Sequence, residues 1–154
     1  MKKQKLIILP FVFLLSLGSA WAQSAEIMDK IIATPTISVA QAAYLVFVAS
    51  GKLAEDATPE QAYTLVEKLG WLGSGNDAAH PVRSAEYAYL LTRSYDLRGG
   101  LLSMVFRSPR YSYRDLVARG IFSSGGDPDD ALTGVEAVRL LGQVMDTLPE
   151  GAHQ

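Results

Sequence analysis

Residues 58–97, TPEQAYTLVEKLGWLGSGNDAAHPVRSAEYAYLLTRSYDL, and residues 108–147, SPRYSYRDLVARGIFSSGGDPDDALTGVEAVRLLGQVMDT, are two copies of one pattern. Laid over each other without a gap, at a shift of 50, they agree at Pro59/Pro109, Tyr63/Tyr113, Gly70/Gly120, Ser74/Ser124, Gly75/Gly125, Asp77/Asp127, Glu86/Glu136, Leu90/Leu140, Leu91/Leu141 and Asp96/Asp146. Ten identities in 40 positions exceed the roughly two or three that ordinary residue frequencies give by chance. Most of them fall on residues that punctuate a backbone, so what the copies share is a chain path.

Each copy reads as helix, turn, loop, helix. Thr58-Pro59 and Ser108-Pro109 put a capping hydroxyl before a proline at the first helical position, and Gln61 stands where it closes a capping box. Gly70 and Gly120 are the expected left-handed stops. An apolar pair follows (Trp71-Leu72; Ile121-Phe122), then a Ser-Gly-x-Asp loop containing Gly75 or Gly125. Thr133 and Glu136 form a capping box for the last helix, whereas in the middle copy Arg83 occupies the cap position before Ser84 and Glu86. A third, partial copy lies upstream: at a shift of 45, Ile37 to Val46 falls on Val82 to Leu91, and Ser38 to Gln41 is again a capping box. Ile27 to Ile32 is read as the remnant of its first helix. The expectation is all-α: tandem helix–loop–helix units over about 27–53, 58–97 and 108–147, which bury their apolar faces only by packing on one another. Segment 98–107 is an insert, expected to dock on the core as a short helix or strand, or else to form an exposed apolar patch.

The chain has 154 residues, no Cys and a net charge of −2. Without thiols there is no disulfide framework and no Cys-held zinc or iron–sulfur centre, and without a basic excess a nucleic-acid binder is not expected. Lys2, Lys3 and Lys5 precede an apolar run from Leu6 to Leu17, which ends at Ala20-Trp21-Ala22. This reads as a signal peptide over 1–22, because a 12-residue run, broken only by Pro10 and Ser16, does not cross roughly 30 Å of hydrocarbon at 1.5 Å per residue. The mature domain, 23–154, is expected in the periplasm or cell envelope, with no transmembrane segment. It carries eleven basic and sixteen acidic residues, and its charge is uneven. Six arginines between Arg93 and Arg119 face only Asp96 and Asp115, a basic strip beside an acidic remainder. Such a strip either prefers an anionic partner or pairs with the protein's own carboxylates.

The three helix starts, together with Gly120-Ile121-Phe122-Ser123-Ser124-Gly125, resemble the S-layer homology (SLH) repeat. Its members carry a Gly-Ile-x-x-Gly turn, a short loop and an Ile-Thr-Arg-Ala-Glu helix start. The corresponding stretches are Leu132-Thr133-Gly134-Val135-Glu136, Val82-Arg83-Ser84-Ala85-Glu86 and Ile37-Ser38-Val39-Ala40-Gln41, and the resemblance covers about 37–147. It implies that the units pack as a small pseudo-threefold bundle and anchor to the envelope by binding secondary cell-wall polysaccharide or peptidoglycan. The family's arginine, which contacts an acidic sugar group, is replaced by Val39, Ser84 and Gly134. Neither a hydroxyl nor a glycine reproduces the bidentate pairing of a guanidinium. Arg83 stands one place earlier, about 100° away around the helix.

No enzyme is expected. His80 and His153 are the only histidines, too far apart for a zinc pair and without supporting ligands, and His80 is read as a solvated loop residue. Gly73-Ser74-Gly75 lacks the spacing of a nucleophile elbow. Asp127-Pro128-Asp129-Asp130 fails the calcium-loop pattern, with Leu132 and Val138 where Gly and Glu are needed, and reads as a turn. No metal or cofactor is implied. Arginines and tyrosines alternate in Arg107-Ser108-Pro109-Arg110-Tyr111-Ser112-Tyr113-Arg114, and aromatic faces with charged donors suit a glycan. Tyr113 has a counterpart at Tyr63 and reads as core, whereas Arg110 and Tyr111 face Glu60 and Gln61 and are peculiar to the last unit. The candidate ligand contacts are therefore Arg83, Arg107, Arg110, Tyr111 and Arg114. The partner is either a cell-wall glycan bound by this strip or an envelope protein bound through 98–107. The exported form should begin at Gln23; intact mass of the secreted chain tests this, and retention of residues 1–22 would contradict it.

Overall fold

The computed structural model describes residues 24–73, 77–97 and 108–148, and these form helices and loops without a strand. The signal segment, Gly75, Arg107 and the whole 98–107 insert lie outside the described residues. Six helices are described: α1 (24–32), α2 (Val39–Ala49), α3 (Pro59–Leu69), α4 (Ser84–Ser94), α5 (Pro109–Ala118) and α6 (Gly134–Asp146). The chain is all-helical, as the sequence pattern implied.

The helix ends follow their local chemistry. Ser38, Thr58 and Thr133 each accept the N–H of the residue three on, and Gln41, Gln61 and Glu136 each accept the cap's own N–H. Arg83 has no acceptor to offer, so at α4 only half of the box forms: the Arg83 N–H donates to Glu86 Oε2 at 2.9 Å. Ser108 starts α5 without a side-chain cap hydrogen bond, and Tyr111, the third helical residue, brings no carboxylate or amide oxygen to close a box. At the ends of α3 and α5, Gly70 and Gly120 take positive φ. In both turns the glycine N–H reaches back three residues and the next N–H five, which ties off the last carbonyls.

The second helix of each unit is the more buried one, the inner helix: α2 and α4 each bury eight of eleven residues and α6 five of thirteen along one face, whereas α3 buries only Ala62 and Val66. α2, α4 and α6 touch one another, and Ala42, Ala43, Ala85, Ala88 and Ala137 supply small side chains among the buried residues. The outer helices pack backwards: α3 lies along α2 of the preceding unit, and α5 along α4. Between α4 and α6, the buried Tyr87 hydroxyl donates to the Ala137 carbonyl at 2.8 Å, and burial raises its pKa, so it stays a neutral donor.

Backbone hydrogen bonds join the units in a cycle. Ile37 N–H donates to Leu132 C=O (2.9 Å), Leu132 N–H to Val82 C=O (3.3 Å), and Val82 N–H to Ile37 C=O (3.0 Å). These are equivalent residues of the three copies, each the apolar residue before a cap. One residue into each inner helix, Val39 N–H donates to His80 C=O, Ser84 N–H to Asp130 C=O and Gly134 N–H to Thr34 C=O, at 2.8, 2.8 and 3.0 Å. The first unit, although worn in sequence, closes the cycle through α1: Ile31 is buried, and its carbonyl lies against Gly134.

Gly134 therefore tolerates no side chain. A Cβ there would sit 1.8 Å from the Ile31 carbonyl oxygen, and that neighbour is backbone. Gly134→Ala should destabilise the domain by about 2–3 kcal/mol or more in urea unfolding, through overpacking at the seam. Gly142, inside α6 with nothing within 4 Å of its would-be Cβ, is the opposite case. Gly142→Ala should stabilise by about 0.5–1 kcal/mol, and equal effects at the two sites would contradict the seam geometry.

Candidate functional site

The seam between the second and third units gathers the charged candidates. The loop after α5 is held against the start of α4 by its backbone: Asp130 C=O accepts from Ser84 N–H (2.8 Å) and Ser84 Oγ (3.1 Å), and Pro128 C=O accepts from Ala85 N–H (2.9 Å). Within the loop, Asp129 N–H donates to Asp127 Oδ1 (2.9 Å) and Asp127 N–H to Asp130 Oδ2 (3.3 Å), so Asp129 projects from a side-chain-stapled turn. Its two carboxylate oxygens face two arginines. Oδ2 takes Arg110 Nη2 at 3.0 Å, from the first turn of α5, and Oδ1 lies 3.8 Å from Arg83 Nη1, at the cap of α4. All three side chains are at least half exposed.

Of the five candidate contacts, the fold thus brings Arg83 and Arg110 together. Arg114 is one turn further along α5, exposed and without an ion-pair partner among the described residues. Tyr111 is half-buried and engaged, and Arg107 lies outside the described residues. The basic strip is not one surface. Arg119 pairs with Asp115 at 3.0 Å, and the Arg93 guanidinium stacks on the rings of Trp71 (5.3 Å) and Tyr89 (6.0 Å).

The loop after α5 also walls a cavity of about 280 Å³, with Tyr113, Phe122, Asp127, Asp130, Glu136 and Arg139, and Arg83, Arg110 and Asp129 are not among its lining residues. Tyr113 is buried, as its repeat partner implied, and packs edge-on to Phe122 at 5.1 Å. Burial first, then the charges of Asp127 and Asp130, raises its pKa and keeps the phenol neutral. Glu136 is held below its ordinary value by the Thr133 N–H and hydroxyl that it accepts, against a smaller opposing effect of burial. Capping accounts for Glu86, Thr133 and Glu136, and turn geometry for Gly70 and Gly120. A larger depression of about 470 Å³ between α3 and the 53–57 loop holds Gln61, Asp56 and Lys68 but none of the candidates.

The first residues of α2, α4 and α6, which the resemblance aligns with an arginine, are closed. Val39 and Ser84 are 0% and 5% exposed, and Gly134 is sealed by α1. His80 also departs from expectation: it is half-buried, its carbonyl holds the start of α2, and its enclosed Nε2 has no partner among the described residues. Among the described residues no three His, Asp or Glu side chains are grouped to hold a metal, and no helix is long and apolar enough to cross a membrane. The residue that sequence reasoning missed is Asp129. Its signal was present, since its counterpart is Ala79 and the same comparison that isolates Arg110 isolates it. No protein-family model, curated protein or solved structure matches this chain.

The Glu136 cap carries a pH signature. Because its folded pKa is depressed, its contribution is complete above the ordinary carboxylate value of 4.5 and is lost as pH falls through the folded value. The stability difference between the native protein and Glu136→Gln should therefore be constant well above 4.5 and shrink as pH falls below it, in urea unfolding. A difference independent of pH would contradict the capping role.

Proposed function

We propose that this chain is an exported, non-catalytic cell-envelope protein whose SLH-like repeats bind an anionic envelope glycan, with peptidoglycan first, through the face carrying Arg83, Arg110 and Arg114. The signal-like start and the repeat pattern support the location and the family likeness. The hydrogen-bond cycle through Ile37, Val82 and Leu132 supports a pseudo-threefold arrangement of the units. The observation that carries the binding reading is that guanidiniums from two different units converge on one surface carboxylate, with a third an exposed helical turn away.

These arginines have little structural work. Exposed ion pairs contribute about 0–1 kcal/mol to stability, and none of the three side chains is part of the core. Guanidiniums are, however, suited to carboxylates, which they bind in a forked, directional way. The cavity on the loop that carries Asp129, with Asp127, Asp130 and Glu136 in its wall, offers acceptors for the hydroxyls of a sugar ring and leaves the ligand's acidic groups to the arginines.

The mature protein should co-sediment with purified sacculi at low salt and be released as salt rises. A combined Arg83→Ala, Arg110→Ala, Arg114→Ala variant should fold normally and bind at least about tenfold more weakly, since each lost charged hydrogen bond costs on the order of 1.5–3 kcal/mol. Absence of sedimentation at low salt would remove this reading. Sedimentation unchanged in the triple variant would move the contact elsewhere, to the 98–107 insert before other segments.

A further inference from the structure

We propose that Asp129 is a built-in counter-ion, exchanged for a carboxylate of the ligand when the Arg83–Arg110 site is occupied. This rests on the binding reading above and names its chemistry: an acidic glycan that presents a carboxylate, with neutral glycans refused. In the free protein Asp129 gives one oxygen to each arginine, at 3.0 Å to Arg110 and 3.8 Å to Arg83, the footprint that a bridging ligand carboxylate would take over.

Three observations point to exchange rather than structural bracing. First, the loop does not need this carboxylate. Its hold on α4 runs through the Asp130 and Pro128 carbonyls, and its turn through the Asp127 and Asp130 side chains. Second, the pairs are solvent-exposed, where water and salt keep them weak and replaceable. Third, the group is assembled at one seam only. Asp129 has Ala79 as its counterpart, Arg110 has Glu60, and Arg83 has Ser38 and Thr133, which are both true caps. Arg83 thus forfeits a cap hydrogen bond that its equivalents make, which fits a residue retained for a contact outside the fold.

An internal competitor also sets selectivity. A neutral hydroxyl replaces a charge-assisted pair with a weaker neutral hydrogen bond, whereas a carboxylate exchanges like for like and gains whatever the rest of the ligand contributes. The group therefore discriminates by charge while keeping both guanidiniums in place when empty.

The test uses the whole mature protein and polygalacturonate, a soluble carboxylated glycan, at low salt, with sacculi as a separate arm. Asp129→Asn keeps the side-chain shape and removes the competitor, so it should bind polygalacturonate about three- to tenfold more tightly than the native protein. Asp56→Asn, the same change in net charge away from the site, should leave affinity unchanged. Adding Arg83→Ala and Arg110→Ala to Asp129→Asn should abolish the gain. Arg83→Ser offers an independent readout: it should raise the unfolding midpoint by restoring a cap, and weaken binding. Equal or weaker binding by Asp129→Asn, or a gain matched by Asp56→Asn, overturns the exchange. A gain on polygalacturonate with no sedimentation of either protein on sacculi keeps the exchange and removes peptidoglycan as the ligand. Sedimentation on sacculi that Asp129→Asn does not change keeps the binding reading and removes the exchange.

Discussion

The starts of α2, α4 and α6 carry the constraint on which the rest of the structure depends. A helix leaves its first four N–H groups without internal acceptors, and here those ends meet inside the molecule, where each needs a partner from the protein. A capping side chain supplies one acceptor. The others come from across a seam: the loop carbonyls of His80 and Ala78 serve α2, those of Asp130 and Pro128 serve α4, and that of Thr34 serves α6. No unit completes its own inner helix. Each is finished by another, so the worn first unit, with α1 and the turn after it, is as necessary as the two well-marked copies.

That dependence explains why one position is so restricted. The first residue of each inner helix sits under a neighbour's loop, which is why Val39, Ser84 and Gly134 are buried and why the last has no room for a Cβ. An arginine at these positions would have to open the seam. The guanidinium at the start of α4 belongs to the residue before, Arg83, whose side chain emerges at the surface and offers no acceptor for a cap. The loop after α5 then serves two ends with separate parts: its carbonyls hold α4, and the Asp129 carboxylate meets the arginines. The seam's hold on α4 does not run through Asp129, Arg83 or Arg110, so the chemistry of these three can vary without loosening it.

Much of this was legible in local patterns. The caps at Ser38, Thr58 and Thr133, the glycine stops at Gly70 and Gly120, the helix remnant around Ile27–Ile32 and the burial of Tyr113 follow from residues within a few positions, or from the repeat itself. Other features were left open or misread for an equally physical reason. The strip from Arg93 to Arg119 left two readings open, an anionic partner or pairing with the protein's own carboxylates, because proximity in sequence does not say which side chains meet in space. In the fold Arg93 lies on aromatic rings, Arg119 pairs with Asp115 one turn before it, and Arg110 pairs with a residue nineteen positions away. His80 looked solvated because a histidine before a proline in a loop usually is, but its loop is a structural acceptor for α2.

The sequence by itself determined where helices start and stop and that the chain is helical, because capping, proline and glycine act over four or five residues and leave a local record. Only the tertiary structure decided which carbonyl completes which helix, that the first helical position is sealed, and that Arg83 and Arg110 share Asp129. Those outcomes arise where three units close on one another, and closure is a condition on distances in space, which the spacing of residues along the chain does not contain.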